Sequence, residues 1–226
     1  MAVAARLRTG HVPSLSTAET LDAAIAAGAD MVGLVFFAKS PRNVSIAAAG
    51  ALAERARGRA EVVALTVDPT DAFLAELMAG VRPDILQLHG GEDLARVADI
   101  RSRFSVRVMK AIGVAEAADL TAIGDYAAVS DLILVDAKPP KTAGALPGGN
   151  GLTFDWRLVA GLDPGRPVML SGGLHPGNVA EAIRLTRLSG VDVSSGVESA
   201  PGLKDPDKIR AFVAAARQTQ GEGEWR

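Results

Sequence analysis

The chain has 226 residues, 48% of them hydrophobic and 22% charged, with a formal net charge of −2 at pH 7 and no cysteine. That apolar content supports a sizeable core and excludes global disorder, while the near-neutral charge supplies no basic field to recruit nucleic acid, so an anionic ligand must be held locally. The absence of cysteine excludes a disulfide, a thiolate metal site and a cysteine nucleophile.

Residues 1–10 carry arginines without an apolar stretch of signal-peptide type, and nowhere do about 18 apolar residues run together, so the chain reads as a soluble cytoplasmic protein with no membrane partner. Residues 3–7 give a weak first strand, interrupted by Arg6. Helical periodicity over 17–27 leads to a strand at 31–36, then a helix at 46–57, a strand at 61–67 and a helix at 71–79. The alternation continues with strand 85–88, helix 93–104, strand 106–112, helix 116–126, strand 132–135 and helix 154–160. It closes with strand 168–170, helix 176–188, strand 191–193 and helix 207–217.

Each strand is short and apolar throughout, as parallel strands covered by helices on both faces must be. Eight β-then-α units of roughly 20–30 residues fit an α/β fold of the (β/α)8 TIM barrel type better than an open doubly wound sheet. No composition break marks a boundary, which predicts a single domain over 1–217 and a polar tail over 218–226. The longest stretch of low hydrophobicity, 138–151, falls after strand six, where a barrel carries an active-site loop.

Functional side chains of such barrels stand just beyond the C-terminal ends of the strands. Asp136 ends Leu-Ile-Leu-Val-Asp, a place where a carboxylate is costly unless it is hydrogen-bonded or used; it also fits a loop or helix cap. Gly172 and Gly173 follow strand seven, and Ser194, Ser195 and Gly196 follow strand eight. Backbone N–H groups of such turns cradle phosphate, although a lone Gly-Gly is equally a tight turn; two such turns on strands seven and eight are more specific. Arg42, after Ser40 and Pro41, offers a bidentate fork for a carboxylate or is a solvated charge, and His89 follows Gln87 at the end of strand four. Three histidines in scattered contexts suggest no metal site.

Taken together, these motifs resemble the phosphoribosylanthranilate isomerase family of tryptophan biosynthesis, from Leu15 to Val213. The resembling segments include Gly28-Ala29-Asp30, Ser40-Pro41-Arg42, Gln87-Leu88-His89-Gly90, Leu134-Val135-Asp136 and Gly148-Gly149-Asn150-Gly151. Phe154-Asp155-Trp156, Ser171-Gly172-Gly173-Leu174 and Gly190-Val191-Asp192-Val193-Ser194-Ser195-Gly196-Val197-Glu198 complete them. The resemblance implies an intramolecular aldose–ketose isomerase that needs no metal or organic cofactor. It converts N-(5-phosphoribosyl)anthranilate to 1-(2-carboxyphenylamino)-1-deoxyribulose 5-phosphate by an Amadori rearrangement. It further implies Asp136 as the acid, Arg42 on the anthranilate carboxylate, His89 and Asp192 among the substrate-binding residues, and phosphate at Gly172, Gly173, Ser195 and Gly196. The chain is then a monomer or homodimer whose ligand is a phosphorylated small molecule.

One departure stands at the start. The family opens with a strand Lys-Ile-Cys-Gly whose cysteine is the general base, and this chain has no thiol. Ungapped alignment back from Leu15 puts Pro13 at that position; a four-residue insertion over 11–14 puts Thr9 there. Neither side chain deprotonates carbon at neutral pH, and His11 is the substitute base at hand. The alternatives are a catalytically impaired barrel that still binds the phosphorylated ligand, and another phosphosugar isomerase barrel.

Overall fold

The computed structural model describes residues 8–12, 14–138, 148 and 151–219. Eight parallel strands close into a barrel in chain order: β1 (Arg8–Val12), β2 (Met31–Phe36), β3 (Glu61–Thr66), β4 (Ile85–Leu88), β5 (Arg107–Val114), β6 (Leu132–Ala137), β7 (Val168–Leu170) and β8 (Gly190–Asp192). The seam is the β1–β8 pairing, with His11 opposite Asp192. Every residue of β2 and β6 is buried, as the unbroken apolarity of those segments requires.

Among the described residues seven α-helices surround the barrel: α1 (Ala18–Ala27), α2 (Ile46–Ala56), α3 (Asp71–Val81), α4 (Leu94–Phe104), α5 (Ile123–Val129), α6 (Val179–Thr186) and α7 (Pro206–Gln218). Their starts are set locally. The side chains of Thr17, Ser45, Thr70 and Asp93 accept hydrogen bonds from first-turn N–H groups of α1 to α4, which satisfies donors a helix leaves open.

Two apolar layers result. A compact set inside the barrel, including Met31, Val63, Ile85, Met109, Leu132 and Met169, fills the floor beneath the mouth. The larger layer lies between sheet and helices, with Leu21, Leu52, Leu77, Ile100 and Phe212 buried in it.

Two expectations are corrected, and one element is new. The strand expected at 3–7 lies outside the described residues, and the one that completes the barrel is Arg8–Val12, whose short polar run hides the pattern. In place of a helix at 154–160 there is a single 3-10 turn, Trp156–Val159; Asp155 caps it, and Gly161 turns the chain away at a φ of 70°. The β8–α7 connection folds into an unexpected antiparallel hairpin, β9 (Glu198–Ala200) and β10 (Leu203–Lys204). At the other end α7 includes Gln218, the first residue of the expected tail, and residues 220–226 lie outside the described set.

Candidate active site

The C-terminal ends of the strands converge on one pocket lined by Arg42, His89, Asp136, Asp192, Gly172, Gly173 and Ser195, among others. Asp136, the fifth residue of β6, is 5% exposed. Its Oδ1 accepts from the N–H of Ala137 at 2.8 Å and its Oδ2 lies 3.3 Å from Nε2 of His89. His89 leaves β4 with its backbone N–H bonded to the carbonyl of Thr66, and its Nδ1 is 3.0 Å from Nε2 of Gln87. Gly148 lies over this pair so closely that a Cβ there would stand 2.7 Å from Oδ2 of Asp136 and 2.8 Å from Nε2 of His89.

The backbone beside His89 is pinned from beneath. The buried ammonium of Lys110 donates to the carbonyls of Leu88 at 3.3 Å and Gly90 at 2.7 Å, and to Oε2 of Glu92 at 2.7 Å. Oε1 of Glu92 in turn accepts from the N–H of Asp68 at 2.9 Å. Each partner of this buried ion pair is thus satisfied several times over.

Opposite Asp136, Asp192 ends β8 and is 4% exposed. Ser171 donates to its Oδ2 at 2.7 Å, while its Oδ1 lies 2.7 Å from Nδ1 of His11. His11 is fully buried and does not line the pocket, so it touches the site only through Asp192. Its expected place at the mouth is corrected: the imidazole is enclosed, facing the Asp192 carboxylate that itself lines the pocket.

The start of the chain needs no insertion. β1 ends at Val12, the N–H of Leu15 bonds to the carbonyl of Gly33 at 3.0 Å, and Ser14 takes a φ of 68°. This left-handed conformation suits the glycine that follows the family's cysteine, which agrees with the ungapped alignment. Position 13 lies outside the described residues.

The two small-residue turns meet at the pocket. Gly172 and Gly173 have φ of 88° and 65° and line it with Ser194 and Ser195. Gly196 sits behind them, where a Cβ would come within 1.9 Å of the carbonyl oxygen of Leu174, so only glycine lets the β7 and β8 turns close together. Among the described residues no three histidine or carboxylate side chains group to hold a metal, and no helix is long and apolar enough to cross a membrane.

Arg42 is buried and bidentate to Glu198, with Nε 2.7 Å from Oε1 and Nη2 2.8 Å from Oε2. Lys204 shares the same carboxylate at 2.9 Å. Burial raises the Glu198 carboxyl, but the bonds and charges of Arg42 and Lys204 outweigh it and leave the group below the usual carboxylate range. Lys204 escaped the sequence reading. A single lysine in a polar loop has no signature of burial; the Pro201-Gly202 turn pair was the only trace of its hairpin.

The sequence model of the family described as N-(5′-phosphoribosyl)anthranilate (PRA) isomerase matches residues 11–215. The N-(5′-phosphoribosyl)anthranilate isomerase of Rhodopseudomonas palustris (strain BisA53) is 60% identical over 206 residues, 91% of this chain and 94% of that protein. The crystal structure of the Thermotoga maritima phosphoribosyl anthranilate isomerase superposes with a TM-score of 0.83 at 33% identity, covering 92% of this chain and 98% of that one. A phosphoribosyl anthranilate isomerase solved in complex with reduced 1-(o-carboxyphenylamino)-1-deoxyribulose 5-phosphate superposes with a TM-score of 0.80 at 32% identity, with the same coverage. A closed barrel with two carboxylates, a guanidinium and two glycine- and serine-bearing turns on one mouth agrees with those matches, and the chain belongs to the N-(5′-phosphoribosyl)anthranilate isomerase family.

Proposed function

We propose that this pocket carries out the reaction for which the family is named, the Amadori rearrangement of N-(5′-phosphoribosyl)anthranilate in tryptophan biosynthesis, with the acid on β6 and the base on β8. The observation that supports it most is the shared pocket: Asp136, Asp192 and Arg42 line the same mouth as Gly172, Gly173 and Ser195. In this reading the β7 and β8 turns, with Gly196 behind them, hold the phosphate, and Arg42 receives the anthranilate carboxylate. Distal anchoring then fixes C1 and C2 of the sugar between the carboxylates.

Asp136 gives a proton to the ribose ring oxygen, the C1–O bond breaks, and the nitrogen lone pair forms the Schiff base. That cation acidifies the C2–H bond, so a carboxylate is base enough to remove its proton and leave an enol that tautomerises to the ketone. Among the described pocket residues the groups able to take a proton are His89, Asp136 and Asp192. His89 and Asp136 form one unit, so in this reading the second site of proton transfer is Asp192, whose Oδ1 lies 2.7 Å from His11 Nδ1 without the geometry of a hydrogen bond.

The test is turnover of N-(5′-phosphoribosyl)anthranilate by the purified protein, with growth of a tryptophan auxotroph lacking the isomerase as the cellular counterpart. Turnover and growth are expected. A protein that binds the reduced product analogue without turnover would identify the impaired-barrel alternative instead.

A further inference from the structure

We propose that Ser14 and Ser194 form a hydroxyl pair that reads the sugar chain of the substrate, holding the C3 hydroxyl between the reacting carbons and the phosphate. This deepens the proposed reaction and rests on its placement of the ligand, with phosphate at the β7 and β8 turns and C2 beside Asp192.

The backbone at Ser14 points to it. Among the described residues five other than glycine have positive φ: Ser14, Asp68, Arg82, Ser105 and Arg187. Arg82, Ser105 and Arg187 end α3, α4 and α6, where a left-handed residue is the usual stop. Asp68 puts its carboxylate to local use, accepting from the N–H of Gly91 at 2.7 Å. Ser14 ends no helix, and of the five it alone lines the pocket. A side chain in this conformation is strained where glycine would not be. Pairing on both sides imposes it: Val12 is in register with Val32, and the N–H of Leu15 bonds to the carbonyl of Gly33 at 3.0 Å. Strain held in place at a pocket wall is a pointer to function.

The hydroxyl protons give the second observation. Ser14 is only 3% exposed, and its Oγ lies 3.3 Å from Oγ of Ser194, joining the loop after β1 to the turn after β8. Two hydroxyls carry two protons, and the bond between them uses one. Nζ of Lys204, which only donates, stands 3.4 Å from Oγ of Ser194 and so occupies a lone pair, not a proton. Among the described residues no acceptor takes the second proton. Both serines line the pocket, so that proton is offered to whatever fills it. A ligand oxygen that accepts it satisfies an otherwise unanswered donor.

Position selects the oxygen. Ser194 stands in sequence between Asp192 and the turn that begins at Ser195. The pair is therefore placed between the carboxylate proposed to take the C2 proton and the turn proposed to hold phosphate. The ligand spans that interval with C3 and C4, and the C3 hydroxyl is the oxygen next to the reacting carbon.

Calorimetric titration of the full-length protein tests this with three probes: the reduced product analogue, its counterpart lacking the C3 hydroxyl, and inorganic phosphate. Ser14→Ala removes only the hydroxyl, while Ser14→Gly also relieves the backbone and so guards against a variant that fails to fold. Each should weaken binding of the full analogue by roughly fivefold, the effect of one hydrogen bond, and change the other two probes by less than about twofold. Ser194→Ala should do the same, and the double variant Ser14→Ala with Ser194→Ala should lose little more than either alone, because the pair has one spare proton to give. Unchanged affinity for the full analogue in both Ser14 variants would overturn the proposal. So would equal weakening of both sugar ligands, which would make Ser14 structural, or a matching loss of inorganic phosphate, which would move the pair to the phosphate. A loss in Ser14→Gly that Ser14→Ala does not share would assign the effect to the backbone and overturn it as well. Failure of turnover would count against the proposed reaction and leave this ligand comparison intact.

Discussion

Nε2 of His89 stands 3.3 Å from Oδ2 of Asp136, and the amide nitrogen of Gln87 occupies the other side of the ring, 3.0 Å from Nδ1. An amide nitrogen only donates, so Nδ1 accepts and the ring proton sits on Nε2, facing the carboxylate. The proposed acid is therefore flanked by an imidazole held on a fixed strand end.

The consequence is a graded pair of losses. Asp136→Asn should lower kcat by about 10²- to 10⁴-fold, because it removes the acid. His89→Ala should lower it by a smaller factor, roughly tenfold, and His89→Gln should recover part of that through its amide donor. Steady-state kinetics on the three variants checks the order. An Asp136→Asn enzyme with unchanged kcat would displace the acid from β6.

Lys110 should matter for stability more than for chemistry. Its ammonium bonds the carbonyls on both sides of His89 and the buried Glu92. Lys110→Met leaves Glu92 buried without its cation, which costs about 3–5 kcal/mol. For a domain of this size that lowers Tm by roughly 6–20 °C. The double variant Lys110→Met with Glu92→Gln should lose less than the sum of the single changes, since the uncompensated charge is gone. Additive losses in thermal denaturation would show the pair to be uncoupled.

Gly196→Ala tests the packing of the two turns proposed to hold phosphate. A methyl group there meets the carbonyl oxygen of Leu174 at 1.9 Å, and the obstacle is backbone that cannot rotate aside. The turns must part, so the Kd for the reduced product analogue should rise by about tenfold or more while inorganic phosphate competes less well. Gly173→Val should act similarly through Thr153 and Leu152, whose atoms would lie 2.2 and 2.9 Å from a Cβ. Unchanged affinity in both variants would move the phosphate elsewhere.

Much of this was legible in the sequence because barrel strands are fully buried and short. The unbroken run Met-Val-Gly-Leu-Val-Phe coincides with β2 from end to end, and Ile85–Leu88 and Val168–Leu170 are likewise recovered without adjustment. Asp136, Gly173 and Ser195 were visible because a polar or small residue directly after an apolar run has few uses other than the mouth. β1 was misplaced for the opposite reason: Arg-Thr-Gly-His-Val carries a charge and an imidazole, and it is a strand only because β2 and β8 pair with it. The Glu198–Lys204 pair was invisible because its burial depends on a hairpin folding back over the Arg42 loop, a long-range event without local periodicity.

The removal of the C2 proton turns on Asp192 and His11. Ring opening needs only an acid, whereas removing the C2 proton needs an acceptor across the reacting carbons from Asp136, so losses at the two carboxylates should affect different steps. Asp192→Asn should cut kcat by about 10²- to 10⁴-fold, and any residual rate should show a primary isotope effect with substrate deuterated at C2. His11→Ala should cost less, roughly tenfold, because the ring lies 2.7 Å from Oδ1 of Asp192, is fully buried, and has no place in the pocket wall. Pro13→Cys, which puts a thiol at the position the alignment equates with the family's base, should raise kcat in the parent and restore much of the rate lost in Asp192→Asn. If instead His11→Ala abolishes turnover as completely as Asp192→Asn, the proton ends on the imidazole and Asp192 only relays it.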